Sequence, residues 1–270
     1  MNESASTYTA VRIGDTSDWR LIAVISETGM GAWLKNLVNP AEEVVELFTT
    51  RWERNPDMLL SNIENAVYDH PQVLDDFTAD IAVVAPRSVW VPPFYADADE
   101  AETAEVYNAM YQCGEEEVMQ EESAGALCLF TLVPGLKAFL QRTFPGARVH
   151  SHMAVMARRF RERGADMPCV FIDIRDDEAD FVAFDNRRLL FSASHTWREA
   201  TDIEYHLYNL VSVLGLEPSG VQVSLSGLRE VKNSLTAPLR ENFPYVMLTM
   251  LPSIGTKAGM PLAAMLLTRN

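Results

Sequence analysis

The stretch that decides the fold runs from Cys169 to Ser194, CVFIDIRDDEADFVAFDNRRLLFSAS. In it Val170, Ile172 and Ile174 alternate with Phe171, Asp173 and Arg175. Phe181 and Ala183 then oppose Val182 and Phe184, and Leu189 and Phe191 oppose Leu190 and Ser192. A period of two marks strands with two distinct faces, so three short strands are expected here. Their joints are Asp176-Asp177-Glu178 and Asp185-Asn186. Asparagine tolerates the positive φ of a short hairpin turn, which makes the whole stretch an antiparallel meander.

Downstream, Thr196-Trp197-Arg198-Glu199 has capping-box spacing, with Thr196 as the cap and Glu199 reaching back. Ile203, Leu207, Leu210, Val211 and Leu214 form a helical stripe that Gly215 and Pro218 close. Val221, Val223 and Leu225 alternate as a strand; Leu228, Val231 and Leu235 mark a helix. A strand over 245–251 and a short helix over 261–267 complete the chain.

Upstream, residues 1–17 are polar and patternless and read as a loose arm. Strands are expected over 19–25 and 32–38, with Gly29 and Gly31 supplying the turn between them. Asn39-Pro40 reads as a helix start with Glu42 and Glu43 in its positive first turn. Val44, Val45, Phe48 and Trp52 would be its apolar face. A second helix carries Met58, Leu59, Ile63, Ala66 and Val67, and residues 80–85 and 88–91 read as a strand pair. The acidic run 97–123 offers an amphipathic helix through Val106, Ala109, Met110 and Cys113, then a solvent loop from Gly114. A strand over 126–132, a helix opened by Pro134, a strand over 147–151 and a basic helix with Met153, Met156 and Phe160 on one side follow. Gly164-Ala165-Asp166-Met167-Pro168 breaks the pattern, which divides the chain into lobes 18–165 and 166–270. Each lobe opens with antiparallel strands and continues helix, strand, helix, strand. That order gives an α/β protein with mixed sheets.

The chain has 270 residues, 48% of them hydrophobic, enough for one large core or two modest ones. Its formal charge of −16 argues against nucleic acid, whose affinity rests on Lys and Arg displacing counterions, and against anionic membrane surfaces. The start, MNESASTYTA, has neither the basic nor the apolar region of a signal peptide. The longest apolar run, 124–136, contains Pro134 and falls short of the roughly 20 residues that span a bilayer. Cys113, Cys128 and Cys169 are far apart in apolar settings and read as buried thiols of a reducing cytoplasm.

Two copies of a three-strand meander followed by helix, strand, helix, strand resemble the actin-like ATPase fold of sugar and acetate kinases, actin and DnaK-type chaperones. The segment 168–251 also resembles an uncharacterised bacterial family with that fold, through VFIDIRDDEADFVAFDNRRLLFSASHTW, EYHLYNLVSVLGLEP and VSLSG. The resemblance implies a two-lobed, duplicated ribonuclease-H-like architecture with a ligand cleft between the lobes. Some relatives with the fold are pilus or secretion-machine components without evident catalysis.

In active members of that fold, two hairpin turns of Asp-x-Gly type approach the β- and γ-phosphates. Glycine lets backbone N–H groups close on phosphate, and the aspartate holds Mg²⁺ or orients water. Here Asp173 stands where such an aspartate belongs, but its turn is Arg175-Asp176-Asp177-Glu178, three carboxylates and no glycine. The first hairpin, Ser26-Glu27-Thr28-Gly29-Met30-Gly31, has glycines but Val24 and Ile25 in place of an aspartate. The adenosine-side glycine pair is reduced to Gly227 in Leu225-Ser226-Gly227-Leu228. A tip crowded with carboxylates repels a triphosphate. The expectation is therefore a binding or scaffold protein with degenerate nucleotide motifs, no cofactor, and a protein partner. An ATP-Mg-dependent phosphotransferase built on Asp173 is the alternative, and the acidic 97–123 segment is a further candidate interaction arm. The cleft is expected to be lined by Asp173, Arg175, Asp176, Ser226 and Gly227, with Thr28 and Gly29 opposite.

Other motifs point more weakly to chemistry. Gly29-x-Gly31 begins a dinucleotide fingerprint, but Leu34 replaces its third glycine. His150 and His152 with Cys169 suggest zinc, yet a surface pair of histidines is favoured. Residues 173–180 resemble a calcium loop by charge alone and lack its glycine. The basic run Arg158, Arg159, Arg161 and Arg163 reads as solvent-facing and paired with the chain's own acids.

Overall fold

The computed structural model describes residues 15–38, 44–85, 87–112, 114–163, 167–249 and 259–268. The central stretch forms the expected meander: β9 (Cys169–Ile174), β10 (Glu178–Asp185) and β11 (Arg188–Thr196). Its second turn carries positive φ at Asn186 and Arg187, the conformation that a tight hairpin demands. A bulge between Ala183 and Phe184 leaves Leu190 unpaired. Leu189 and Phe191 therefore face opposite sides of the sheet and not one side, because a bulge resets the period of two.

β9 pairs in parallel with β12 (Gln222–Gly227), which pairs in parallel with β13 (Tyr245–Leu248). The sheet order is β11-β10-β9-β12-β13. The first half repeats it. A meander of β1 (Trp19–Ser26), β2 (Gly29–Asn36) and β3 (Val44–Arg51) is followed by parallel β4 (Thr78–Val83) and β8 (Arg148–Ser151), in the order β3-β2-β1-β4-β8.

β3 corrects the helix read over 39–52. Residues 39–43 lie outside the described residues, and 44–51 are strand. The run VVELFTT is rich in β-branched and aromatic residues, and pairing with β2 outweighs a spacing that also suits a helix. Gly29 and Gly31 lie in β2, so the turn is Glu27-Thr28.

Helices fill three layers. α1 (Leu59–Tyr68) and α3 (Leu136–Thr143) cover the outer face of the first sheet. α5 (Ala200–Val213) and α6 (Arg229–Arg240) cover the outer face of the second. α4 (His152–Arg163) and α7 (Leu262–Leu267) lie between the sheets. There Ile22, Val24 and Trp33 of one sheet and Phe171, Val182 and Phe184 of the other share one core with Met153, Met156 and Phe160. Phe160 stacks on Phe171 with ring centroids 4.1 Å apart. α5 is capped by Glu199 with Asp202, one turn later than the Thr196 box expected, because β11 runs on through Thr196.

A third sheet, β5-β7-β6, is inserted into the first half: β5 (Ser88–Val91), β6 (Glu117–Ser123) and β7 (Ala126–Leu132). β5 pairs with β7 and not with β4, which corrects the strand pair read over 80–91. Residues 117–123 are likewise strand, not loop; β6 is the edge of this sheet, with Glu122 exposed and Glu121 turned inward at 11% exposure. α2 (Glu100–Met110) packs Tyr107 against this sheet. The expected lobe boundary touches 164–166, outside the described residues. Among the described residues no helix is long and apolar enough to cross a membrane.

Candidate functional site

The two meanders repeat one local device. Trp52 follows β3; its backbone N–H donates to the Thr28 carbonyl at 3.0 Å and its indole N–H to the Glu27 carbonyl at 2.9 Å. Trp197 follows β11; its backbone N–H donates to the Asp177 carbonyl and its indole N–H to the Arg175 carbonyl, both at 3.1 Å. Each hairpin tip is thus tied down by the tryptophan that ends its own meander. The helical reading of 39–52 hid this role of Trp52.

The tips meet through two arginines. Arg51, paired with Gly29 in the β2–β3 ladder, places Nη1 3.1 Å from Asp176 Oδ2. Arg54 places Nε 2.9 Å from Glu27 Oε2 and Nη2 2.8 Å from Asp177 Oδ2, so it holds one acid from each tip. Arg51 and Arg54 thus link the first tip, which carries Thr28 and Gly29, to Asp176 and Asp177 of the second.

Deeper in, period two sends Asp173, Asp180, Ser194 and Ser226 to the inner face of the second sheet, above its apolar end at Phe171, Val182 and Phe184. Asp173 is buried, and Ser226 donates its hydroxyl to Asp173 Oδ1 at 2.7 Å. Arg175 forks onto Asp180, Nε to Oδ2 at 2.9 Å and Nη2 to Oδ1 at 2.8 Å, and also reaches Glu178 at 2.7 Å. Ser194 donates to Asp180 Oδ1 at 2.6 Å. His152, at the start of α4 and only 2% exposed, puts Nε2 3.4 Å from Asp180 Oδ2, while neither ring nitrogen makes a hydrogen bond.

Burial, reinforced by the neighbouring charge of Asp180, pushes the Asp173 carboxyl up to about 6. Burial also acts to raise Asp180, but Arg175 and His152 overcome it and hold Asp180 well below the ordinary carboxylate range. Gly227, at φ 88°, lies against the Ile174 backbone so closely that a Cβ there would overlap the Ile174 carbonyl. Asp180 was legible in principle, since the meander register sets it opposite Asp173. His152 was not, because nothing local announces a contact between halves of the chain.

His150 and His152 are both buried, which corrects the surface reading, and they serve separate acids. His150 Nε2 lies 3.2 Å from Asp80 Oδ1 and Nδ1 2.7 Å from Glu121 Oε1. Asp80 also takes a forked contact from Arg148 at 2.7 and 2.8 Å. Glu121 accepts from the Ser151 N–H at 2.9 Å and from Arg158 at 3.3 Å, so the basic helix does pair with the acidic segment. Burial pulls His150 down, but its bonds to Asp80 and Glu121 together outweigh that and leave its pKa above the ordinary value. Among the described residues no three His, Cys, Asp or Glu side chains are grouped to hold a metal ion. Cys128 and Cys169 are buried free thiols; Cys113 lies outside the described residues.

A cavity of about 50 Å³ lies behind the first tip, lined in part by Ser26, Glu27, Val84 and Thr131. A family of proteins of unknown function, DUF3822, matches residues 37–246. The chain belongs to that family. Among solved structures, a Bacteroides thetaiotaomicron protein described as having an actin-like ATPase fold and unknown function is 17% identical. The alignment covers 94% of this chain and 97% of that one, with a TM-score of 0.79. A structure of the PilM–PilN type IV pilus biogenesis complex aligns at 11% identity over 92% and 96% of the chains, TM-score 0.54. The ethanolamine utilization protein EutJ from Carboxydothermus hydrogenoformans aligns at 8% identity over 92% and 89%, TM-score 0.50. No curated protein matches the chain by sequence. At such identities the likeness is one of fold, and this family member has the actin-like ATPase fold.

Proposed function

We propose that this DUF3822 protein is a non-catalytic binding or scaffold protein whose cleft is held by its own ion pairs. The observation that carries this reading is Arg54 bridging Glu27 and Asp177, one acid from each hairpin tip. In a nucleotide-hydrolysing relative of the fold, that space belongs to phosphate, and basic side chains there would greet an anion. Here the protein's own carboxylates engage Arg51 and Arg54. The second tip has no glycine, so it lacks the backbone freedom that lets N–H groups close on phosphate. Asp173 points inward to Ser226.

On this reading the ligand is a protein. A charge of −16 disfavours nucleic acid and anionic lipid, and a fold neighbour is described in a complex with a second protein. The cytoplasm is the compartment this reading assigns.

Thermal denaturation with and without millimolar Mg-ATP tests the proposal. A ligand at a hundred times its Kd adds about 2.7 kcal/mol to stability. The expected result is an unchanged melting temperature. A clear rise that is lost in Arg51→Ala/Arg54→Ala would overturn the scaffold reading in favour of an ATP-dependent phosphotransferase.

A further inference from the structure

We propose that the inserted sheet, with α2 and the turn before it, is a docking surface for a basic, amphipathic segment of a partner protein. Its apolar part begins with Phe94 and Tyr95 in the single-turn 3-10 helix Pro93–Asp97. Phe94 is 75% exposed, and its ring centroid lies 4.6 Å from that of Tyr95. Pro92 and Pro93 fix φ just before the pair, so the two rings are held out on a stiff support. Gln120 of β6 donates to the Ala96 carbonyl at 3.4 Å, which fastens the turn to the sheet. Beside it a groove of about 160 Å³ runs between the first turn of α2 and β6, lined in part by Ala98, Thr103, Val118 and Gln120. Met110, 67% exposed, ends α2 about 15 Å from the helix start. Large apolar side chains thus stand out before and after one acidic helix.

Charge says what covers them. From Asp97 to Glu122 the chain has ten carboxylates and no Lys, Arg or His. All but Glu117 and Glu121 are exposed. Elsewhere the chain answers its acids with arginine, as in Arg54 with Asp177 and Arg148 with Asp80. Here Lys137 meets Glu100 at 2.9 Å, while among the described residues no ion pair reaches Asp97, Glu105, Glu115 or Glu122. Side chains two apart share a face of a strand, so Glu122 lies on the face of β6 that carries Val118 and Gln120, where α2 packs. The acids therefore flank the aromatic turn and the groove from both α2 and β6.

Like charges crowded on one surface repel one another and do nothing for folding, but they draw a cationic partner and raise its on-rate. Apolar side chains of such a partner cover Phe94, Tyr95 and Met110, and its Lys or Arg side chains answer the acids. The same field repels nucleic acid and anionic lipid. This inference rests on the reading that the ligand is a protein, and it names the chemistry of that protein and the surface it uses.

The test is fluorescence anisotropy of a labelled helical peptide, with Lys along one face and Leu and Trp along the other, titrated with the full-length chain. The expected result is saturable binding that weakens at least about fivefold in Phe94→Ser and in Glu105→Lys/Glu122→Lys. These side chains are exposed, so both variants should melt like wild type. Asp75→Lys/Asp76→Lys reverses two exposed acids in the bend before β4 and controls for charge alone; it should leave the affinity within about twofold. The same peptide with Lys and Leu scrambled should bind at least about fivefold more weakly. No saturable binding, no loss in Phe94→Ser, or equal losses in the two charge-reversal variants would overturn the proposal. Hydrogen exchange of the wild-type chain with the peptide gives a second readout. Slowed exchange over 93–110 and 117–122 supports the surface, and slowing confined to other segments sinks it. Failure here with an unchanged melt in Mg-ATP rejects this surface and leaves the scaffold reading standing; a melt raised by Mg-ATP and lost in Arg51→Ala/Arg54→Ala rejects that reading itself.

Discussion

Arg54 reaches Asp177 across the two halves of the chain, Nη2 to Oδ2 at 2.8 Å, while the same guanidinium keeps Glu27 at 2.9 Å. One side chain thereby sets the spacing of two hairpin tips. Arg54→Ala should lower stability by about 1 kcal/mol at low salt, since all three side chains are partly exposed and water screens the pairs. At 1 M salt the Debye length falls to about 3 Å, and the difference should largely vanish. Urea melts at both ionic strengths check this.

The paired tryptophans give a second expectation. Trp197→Phe removes the indole N–H that donates to the Arg175 carbonyl, and Trp52→Phe removes its counterpart at Glu27. Each should cost about 1 kcal/mol while keeping most of the half-buried ring. Thermal melts of the two single variants measure it.

His150 has a pH signature of its own. Its pKa is raised by Asp80 and Glu121 against the pull of burial. The stability it contributes is therefore fully present below about pH 6.5 and is lost as pH rises through the raised folded-state value. His150→Gln should destabilise the chain at pH 6 and have a smaller effect at pH 9. Urea midpoints of variant and wild type at the two pH values test the sign.

Gly227→Ala should damage the second half severely. Backbone strain alone at φ 88° is worth about 1–3 kcal/mol, and the new methyl would overlap the Ile174 carbonyl. Circular dichroism melts, or loss of soluble protein, would register it.

Phe160→Ala should cost about 3–5 kcal/mol, because the ring stacks on Phe171 inside the core shared by both sheets. A loss of that size should appear as one cooperative melt shifted downward for the whole chain.

The second half was readable because its strands are short, alternate cleanly and end in turn residues. Asn186 and Gly215 announce their own backbone conformations, although the turn falls at Asn186-Arg187, one residue later than Asp185-Asn186, and α5 carries an unbroken apolar stripe. The first half was harder. Val44, Val45, Phe48 and Trp52 fit a helix by spacing, and only the pairing of β3 with β2, a tertiary fact, decides for strand. β6 was hidden by its charge, since an acidic run reads as loop unless its partner β7 is known. Of the site, Asp173, Ser226 and Gly227 follow from the order of strands, and the meander register adds Asp180. The Arg54–Asp177 contact joins residues 123 positions apart, and no local periodicity encodes it.

The arrangement at the tips has a bearing on how such a chain could change its trade. Arg51 and Arg54 stand at the junction of the two tips, and acids on the neighbouring turn quench them. Exchanging Asp176 and Asp177 for small neutral residues would release Arg51 and leave Arg54 with Glu27 alone. A handful of codons thus separates tips fastened to one another from tips that carry an unanswered positive charge.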